Sequence, residues 1–92
     1  MDEYDEEEER FRRQGPDVVT INAMTHLSDV EEELGISFGT TEFETLNGFL
    51  TSRLGHIPNH DDLEKEIEAC GFKFRILSLG NRTIGNVRAM RL

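Results

Sequence analysis

Two histidines followed by two aspartates come nearest, in residue type and spacing, to a metal site in this chain. His56 and His60 stand four residues apart, a spacing that on a helix brings two imidazoles to one face, where they could hold Zn²⁺. Pro58 lies between them and breaks such a helix. Because no third ligand stands at a characteristic spacing, the segment predicts a polar loop and no metal site.

Catalytic motifs give no positive support for an enzyme. Cys70 is the single cysteine, and it lies at a predicted turn without the local signature of a cysteine nucleophile. The chain contains no G-x-S-x-G, P-loop or G-x-G-x-x-G motif. A single cysteine also excludes a disulfide framework within the chain and suits a reducing compartment. We therefore predict a non-catalytic domain that needs no cofactor.

Charge is unevenly distributed along the chain, whose formal net charge is −9. An acidic protein repels the phosphate backbone, which disfavours general nucleic-acid binding. Residues 69–92, in contrast, contain no acid and five bases: Lys73, Arg75, Arg82, Arg88 and Arg91. These bases could meet a small anion or the acidic remainder of the same molecule. The simpler alternative is that they lie on the solvent-exposed face of a sheet.

The length of 92 residues allows one small domain. No apolar run approaches the roughly 20 residues that span a bilayer, so we expect no direct membrane insertion. Residues 2–9 are nearly all acidic, which favours an extended or disordered segment. Gly15-Pro16 follows, a dipeptide that is typical of turns and loops between structural elements. We therefore expect an acidic linker at residues 1–16 and a folded domain at residues 17–92.

Hydrophobic periodicity predicts a strand followed by two helices. Residues 17–23 are rich in β-branched side chains and suit one strand. Thr25 is a candidate N-cap for a helix with a stripe of Leu27, Val30 and Leu34 that ends at Gly35. Thr41 and Glu44 form the pattern of a capping box. The second helix that it predicts has a broad apolar face and ends at Gly55: Phe43, Leu46, Phe49, Leu50 and Leu54.

Three strands are predicted after the second helix. Residues 63–69 alternate between acidic and less polar positions, which favours a strand, with a helix as the alternative for this acidic stretch. Cys70-Gly71 makes a turn, and residues 72–77 alternate clearly. The last strand covers about residues 83–91, with a β-bulge near Gly85-Asn86 that keeps Ile84 and Val87 on one face. Gly48, inside the second helix, suggests close approach of another element. The predicted fold is α+β, in the order β-α-α-β-β-β, with a small antiparallel sheet and two helices on one face.

The segment at residues 45–58, TLNGFLTSRLGHIP, resembles the signature segment of the CorC/HlyC transporter-associated domain. In that family a helix with T-L-x-G precedes L-G-x-I-P and a strand-rich tail. The likeness extends upstream to DVEEELGI at residues 29–36 and downstream to residues 72–77 and 82–88, so it covers residues 17–92. Two departures are His26, where many relatives have Pro, and residues 64–70, which are poorer in Val and Gly than usual.

The resemblance implies a context in a larger membrane protein. The acidic start is similar to the segment that follows a pair of cystathionine-β-synthase-type (CBS) domains, so the chain resembles a C-terminal piece with Met1 as an added start. Family members are linked to magnesium and cobalt efflux or called hemolysin-like. We therefore expect an accessory or regulatory domain on the cytoplasmic side of the cell membrane. Its expected partners are the CBS domains and membrane domain of the parent protein, or a second copy in a homodimer.

The alternative function is a nucleotide sensor. The family's fold is grouped with a flavin-dinucleotide-binding α+β fold, which implies FAD or an adenine nucleotide as a ligand by fold analogy alone. The residues that would bind it are the basic ones of the last strands, Arg75, Arg82 and Arg88.

Overall fold

The computed structural model describes residues 11–40 and 42–92 as one sheet and two helices. A short 3-10 helix, His60–Asp62, precedes the last three strands. The elements in chain order are β1 (Phe11–Gly15), β2 (Val18–Asn22), α1 (Leu27–Leu34), α2 (Leu46–Leu54), β3 (Glu66–Ala69), β4 (Phe72–Ile76) and β5 (Asn86–Arg91).

The sheet has five strands in the order β1-β2-β5-β4-β3, and every neighbouring pair is antiparallel. The predicted α+β class with two helices and an antiparallel sheet is confirmed. β5, the last strand in the chain, lies in the middle of the sheet between β2 and β4. β1 and β3 form the two edges.

The extra strand is β1, which the sequence analysis did not expect. It pairs with β2 in a hairpin that places Phe11 opposite Ile21 and Arg13 opposite Val19. Gly15 ends β1, and Pro16-Asp17 form the turn of this hairpin. Gly15-Pro16 therefore does not mark the entrance to the domain, and the sheet begins before Asp17. Residues 12–14 have little strand propensity of their own, and pairing with β2 and the packing of Phe11 on the core stabilise the strand. Residues 1–10, the acidic run among them, lie outside the described residues, and the linker there stays a prediction.

The core lies between the two helices and one face of the sheet. Alternate residues of β2, β4 and β5 point to that face, and Ile21, Phe74 and Val87 are fully buried there. The stripe of Leu27, Val30 and Leu34 on α1 packs into the same cluster, as predicted. α2 contributes Leu46, Phe49 and Leu50. This arrangement leaves the opposite face of the sheet, which we call the outer face, turned away from the helices.

The two helices begin differently from the prediction. α1 starts after His26 without a side-chain cap, and α2 starts after Thr45, whose hydroxyl accepts from the Gly48 amide at 3.2 Å. Thr41, the predicted cap, lies outside the described residues. An isolated bridge between His26 and Thr45 joins the two helix starts.

That bridge explains why α1 needs no cap from a side chain. The Leu27 amide donates to the Glu44 carbonyl at 2.8 Å, and the Leu46 amide donates to the Thr25 carbonyl at 3.1 Å. The first amide of each helix is thus satisfied by a carbonyl from the segment that leads into the other helix. The Thr25 hydroxyl, predicted to cap α1, is buried and has no hydrogen-bond partner among the described residues.

Two glycine positions behave differently from expectation. A Cβ at Gly48 would meet Phe43 and Thr45 at 3.6–3.8 Å, which is ordinary contact with the segment just before α2. The expected close approach of another element at Gly48 is therefore wrong. Such an approach occurs at Gly85, where a Cβ would lie 2.6 Å from Ser78 Oγ and 3.2 Å from its carbonyl oxygen.

The C-terminal strands follow the predicted alternation with shifted bounds. β3 is limited to Glu66–Ala69, Cys70 and Gly71 form the turn with φ of 55° and 82°, and β5 begins at Asn86. Next to Gly85, the amides of Leu77 and Ser78 both donate to the Asn86 carbonyl, at 2.8 and 3.4 Å. Two amides that share one carbonyl indicate a β-bulge, so the extra residue lies on the strand opposite to the predicted one.

Candidate functional site

A single row of side chains crosses all five strands on the outer face of the sheet. The registers pair Arg12 with Thr20, Thr20 with Arg88, Arg88 with Arg75, and Arg75 with Glu66. We call these five residues the arginine row. Three guanidinium groups thus share one line across a sheet, because β5 inserts between β2 and β4.

The structure brings together two of the three arginines that the sequence analysis selected. Arg75 and Arg88 are direct partners on β4 and β5. Arg82 lies apart from them, in the loop between these strands, where its φ is 64° and its side chain is exposed. It lines a different cleft, formed by this loop and the segment that contains Pro58 and His60. The three arginines therefore do not form one site.

At the β3 end of the arginine row, the carboxylate of Glu66 compensates the positive charge of Arg75. Glu66 Oε2 lies 3.0 Å from Arg75 Nη2, and Glu66 Oε1 lies 3.5 Å from Lys73 Nζ. All three side chains are about a third exposed, so water screens these ion pairs and each contributes little to stability. The Nε atom of Arg75 is buried and has no hydrogen-bond partner among the described residues.

Arg88, in the middle of the row, lacks such compensation. Its Nε atom is also buried without a hydrogen-bond partner among the described residues. Its cross-strand neighbours are the hydroxyl of Thr20 and the guanidinium of Arg75. Like charges directly opposite each other destabilise a sheet, and a buried donor without an acceptor costs free energy. Arg88 therefore occupies a position that an added anion would relieve.

A polar groove of about 350 Å³ opens on the outer face beside Arg88. Its lining comes from β1, β2, β5 and the residue after β4, and the described residues contribute two arginines and no carboxylate to it: Arg12, Gln14, Thr20, Asn22, Leu77, Asn86 and Arg88. Guanidinium groups surrounded by neutral donors suit an oxyanion, since charge-assisted hydrogen bonds are the stronger ones. The groove is thus the candidate binding site of the described residues.

Two of the seven lining residues, Arg12 and Gln14, were missed by sequence reasoning because β1 was not predicted. Arg12 and Gln14 come from β1, and Thr20 and Asn22 come from β2. Gly15-Pro16 is a turn signal, but Arg12, Arg13 and Gln14 before it carry no strand pattern, so the dipeptide alone did not predict a hairpin. Only the insertion of β5 beside β2, however, brings these side chains next to Arg88.

Asp62 is the centre of a second polar cluster, in the segment between α2 and β3. Its side chain is 1% exposed and accepts from Lys65 Nζ at 2.9 Å, from the Asn59 amide at 3.0 Å and from His56 Nε2 at 3.0 Å. The hydrogen bond from Lys65, followed by that from the Asn59 amide, lowers the pKa of Asp62 to about 2, although burial opposes this. All three hydrogen-bond donors to this carboxylate come from the same segment between α2 and β3. The cluster therefore stabilises the conformation of this loop.

The other residues considered for catalysis or metal binding, His56, His60 and Cys70, do not form a common site. His56 points to Asp62, whereas His60 is an exposed residue of the 3-10 helix. No group of three or more His, Cys, Asp or Glu that could hold a metal ion occurs in residues 11–40 and 42–92. Cys70 is exposed, and its thiol donates to the Ser37 carbonyl at 3.2 Å. Neither α1 nor α2 has the length and hydrophobicity of a membrane-spanning helix.

Solved structures with the same fold come from bacterial domains. The CorC_HlyC transporter-associated domain of Nitrosomonas europaea superposes with a TM-score of 0.78 at 23% identity, over 89% of this chain and 95% of that one. A CorC_HlyC domain from Haemophilus ducreyi superposes with a TM-score of 0.74 at 26% identity, over 87% of this chain and 94% of that one. The arrangement of five strands and two helices is therefore shared with these domains.

Curated relatives are considerably longer than this chain. The magnesium and cobalt efflux protein CorC of Vibrio cholerae is 25% identical over 90% of this chain and 28% of its own length. Hemolysin C of Brachyspira hyodysenteriae is 28% identical over 99% of this chain and 33% of its own length. This chain thus spans about a third of the relatives it matches. The family model CorC_HlyC, described as a transporter-associated domain, matches residues 12–92. The chain belongs to the CorC/HlyC transporter-associated domain family.

Proposed function

We propose that this chain is a non-catalytic regulatory domain of a membrane ion transporter of the magnesium and cobalt efflux or hemolysin-like type. The observation that supports it is the family match over residues 12–92, together with relatives named as an efflux protein and as a hemolysin, each about three times as long as this chain. The remaining length of such a protein would supply the membrane domain. The domain would act on the cytoplasmic side of the cell membrane, through contacts with CBS domains or with a second copy.

The sheet offers two kinds of surface for such contacts. The outer face combines the arginine row with half-buried apolar side chains of β2 and β5, Val18 and Met90, and so suits a polar protein surface with some apolar contact. The edges at β1 and β3 carry charged side chains, which discourage indiscriminate strand pairing. We therefore propose the outer face as the surface that other domains contact.

A chimera tests the regulatory role. The corresponding third of Vibrio cholerae CorC would be replaced by residues 11–92, and cobalt tolerance would be measured in cells that lack their own efflux protein. We expect the chimera to restore tolerance above that of CorC truncated before this domain, at equal protein level. A chimera no better than the truncated protein, although folded and membrane-inserted, would contradict the proposal.

The contact surface needs a separate test. A triple variant of the outer face, Arg12→Ser, Arg88→Ser and Met90→Ser, is compared with a triple variant of exposed residues elsewhere, Met24→Ser, Arg53→Ser and Arg82→Ser. Only the first should lower cobalt tolerance in the chimera. Equal losses in both variants would show that the outer face has no special part in the contact.

The second candidate function, a nucleotide sensor, is favoured by one observation, the uncompensated Arg88 beside a polar groove. FAD, AMP and ATP would each be titrated while the unfolding temperature of the chain is recorded. A ligand that binds only the folded state raises stability by RT ln(1 + [L]/Kd), so a micromolar binder gives a saturable shift. We expect at least one nucleotide to raise the unfolding temperature. The absence of any saturable shift would reject the sensor.

A further inference from the structure

We propose that the outer face of the sheet binds an acidic, partly apolar segment of a partner protein, with one carboxylate of that segment on Arg88. This inference rests on the proposed contact between the outer face and other domains, and it names the chemistry of the partner surface. Two neighbouring rows on the three central strands carry it, and we call them the Arg88 patch: Thr20, Arg88 and Arg75 in one row, and Val18, Met90 and Lys73 in the next.

The unsatisfied charge of Arg88 is the first argument. Its Nε atom is buried and has no hydrogen-bond partner in residues 11–40 and 42–92. Its nearest neighbours on the outer face are Thr20 and Arg75 across the strands and Asn86 and Met90 along β5, and none of these is an acid. The guanidinium is half-buried, so a carboxylate that approaches it meets a charge that water screens less than at an exposed arginine.

The position of the acids on the outer face is the second argument. Arg75 lies 3.0 Å and Lys73 lies 3.5 Å from the carboxylate of Glu66, so these two bases already have an anion. Glu66 and Glu68 both belong to β3, at the edge of the sheet. An acidic segment is therefore attracted above β5 and repelled above β3, and this difference determines where on the outer face it binds.

The apolar part of the Arg88 patch is the third argument. Val18 and Met90 are direct partners on β2 and β5, and both are half-buried although they face away from the helices. A small anion such as phosphate gains nothing from these side chains, whereas an apolar side chain beside a carboxylate covers them. Arginine and methionine are also enriched in protein interfaces. The combination favours a protein segment over a free anion.

The charge of the whole chain favours a protein segment over a lipid surface. The net charge of −9 repels an extended anionic membrane, since many charges on both sides then contribute. A short segment responds mainly to charges within about 8 Å at physiological ionic strength, and Arg88 dominates at that range. A local carboxylate contact is thus compatible with an acidic chain.

Two seven-residue peptides with blocked ends are the probes, one with a glutamate between two valines and one with a glutamine in the same position. Each is titrated into the full chain by NMR, at constant ionic strength. We expect the wild type to prefer the glutamate peptide about tenfold, with saturable shifts at Arg88 Nε and at the methyl groups of Val18 and Met90. Arg88→Gln should lose this preference, whereas Arg82→Gln, which removes an exposed charge in a loop, should keep it.

A second pair of variants tests the apolar contact. Met90→Thr should weaken both peptides equally and keep the preference for glutamate, because it leaves Arg88 in place. Met24→Thr, at an exposed methionine outside the patch, should leave the affinity unchanged. An unchanged affinity in Met90→Thr would overturn the apolar part of the proposal.

Other occupants of the patch give distinct results. Equal affinity for the two peptides in the wild type, or a preference that persists in Arg88→Gln, would overturn the proposal. Vesicles of phosphatidylserine, or ATP, that bind through Arg88 while neither peptide binds would overturn it in favour of a lipid surface or a nucleotide. Peptide binding that appears only after the acids of residues 2–9 are replaced by serine would assign the patch to the chain's own acidic segment instead of a partner.

The peptide test and the chimera fail independently. A chimera that restores cobalt tolerance together with a chain that does not distinguish the peptides would keep the regulatory role and reject the acidic partner. A chain that prefers the glutamate peptide through Arg88 would keep the binding chemistry even if the chimera had no effect on cobalt tolerance.

Discussion

Arg75 and Arg88 lie directly opposite each other on β4 and β5, on the face of the sheet turned away from the helices. Arg75 contacts Glu66 at 3.0 Å, while Arg88 has neutral Thr20 on its other side. Both arginines keep a buried Nε atom without a hydrogen-bond partner among the described residues. This pair therefore carries an unfavourable interaction in the middle of a well-packed sheet, which is expected where a side chain serves binding instead of stability.

The first prediction concerns the stability of this pair. Arg88→Gln removes one of two facing positive charges, so we expect the chain to gain about 0.5 kcal/mol at low salt. Denaturant unfolding would measure it. The gain should shrink as salt screens the repulsion in the wild type. Arg82→Gln, the exposed control, should show no comparable gain, and a clear loss of stability in Arg88→Gln would contradict the account.

The second prediction concerns Asp62 and pH. The pKa of Asp62 is lowered from 3.8 to about 2 by the hydrogen bonds from Lys65 and the Asn59 amide. Because the unfolded state takes up the proton first, the stability that this carboxylate contributes is present above pH 3.8 and is lost as the pH falls to about 2. Asp62→Asn should therefore be clearly less stable than the wild type at pH 7, and this difference should shrink over that range.

Asp61→Asn is the matched control for the pH experiment, since Asp61 is the exposed neighbour in the same 3-10 helix. We expect it to follow the wild type at pH 7. If the difference between Asp62→Asn and the wild type stayed constant down to pH 2, Asp62 would not be the group responsible.

The third prediction separates two threonines at the helix starts. Thr45→Val removes the hydroxyl that accepts from the Gly48 amide, and should cost about 1 kcal/mol. Thr25→Val replaces a buried hydroxyl without a partner among the described residues, so it should be neutral or stabilising by up to about 1 kcal/mol. Chemical denaturation of both variants decides this, and a larger loss at Thr25 than at Thr45 would show that Thr25 is the cap.

The fourth prediction compares two glycines. Gly48→Ala adds a methyl group at ordinary contact distance within α2, and should stabilise the chain by about 1 kcal/mol through helix propensity. Gly85→Ala would push a Cβ to 3.2 Å from the Ser78 carbonyl oxygen and against its hydroxyl, so it should destabilise by about 1–3 kcal/mol. Thermal unfolding of the pair provides the comparison. Similar effects at the two positions would contradict the packing described around the bulge.

The elements that depend on periodicity were predictable. Leu27, Val30 and Leu34 recur at helical spacing, and Phe72, Phe74 and Ile76 alternate, so the faces that they bury follow from local geometry. Gly35 and Gly55 end the two helices with φ of 70° and 82°, as expected of left-handed caps. β1 was not predictable in the same way, because Arg12, Arg13 and Gln14 carry no strand pattern, and pairing with β2 decides their conformation.

The candidate site was predicted only in part. Arg75 and Arg88 were selected for their charge, and the structure places them side by side, whereas Arg82 was selected for the same reason and lies in another cleft. Charge counts do not distinguish an arginine in a strand from one in the following loop. Arg12 could not be selected at all without the hairpin that carries it.

By itself, the order of residues determined the α+β class, the two amphipathic helices and the basic character of the final strands, because these depend on composition and on short-range periodicity. Tertiary structure alone decided which strands are neighbours. The insertion of β5 between β2 and β4 aligns Arg12, Arg88 and Arg75, which are up to 76 positions apart in the chain, within one row. Such contacts arise from long-range strand pairing, and no local pattern in the sequence encodes them.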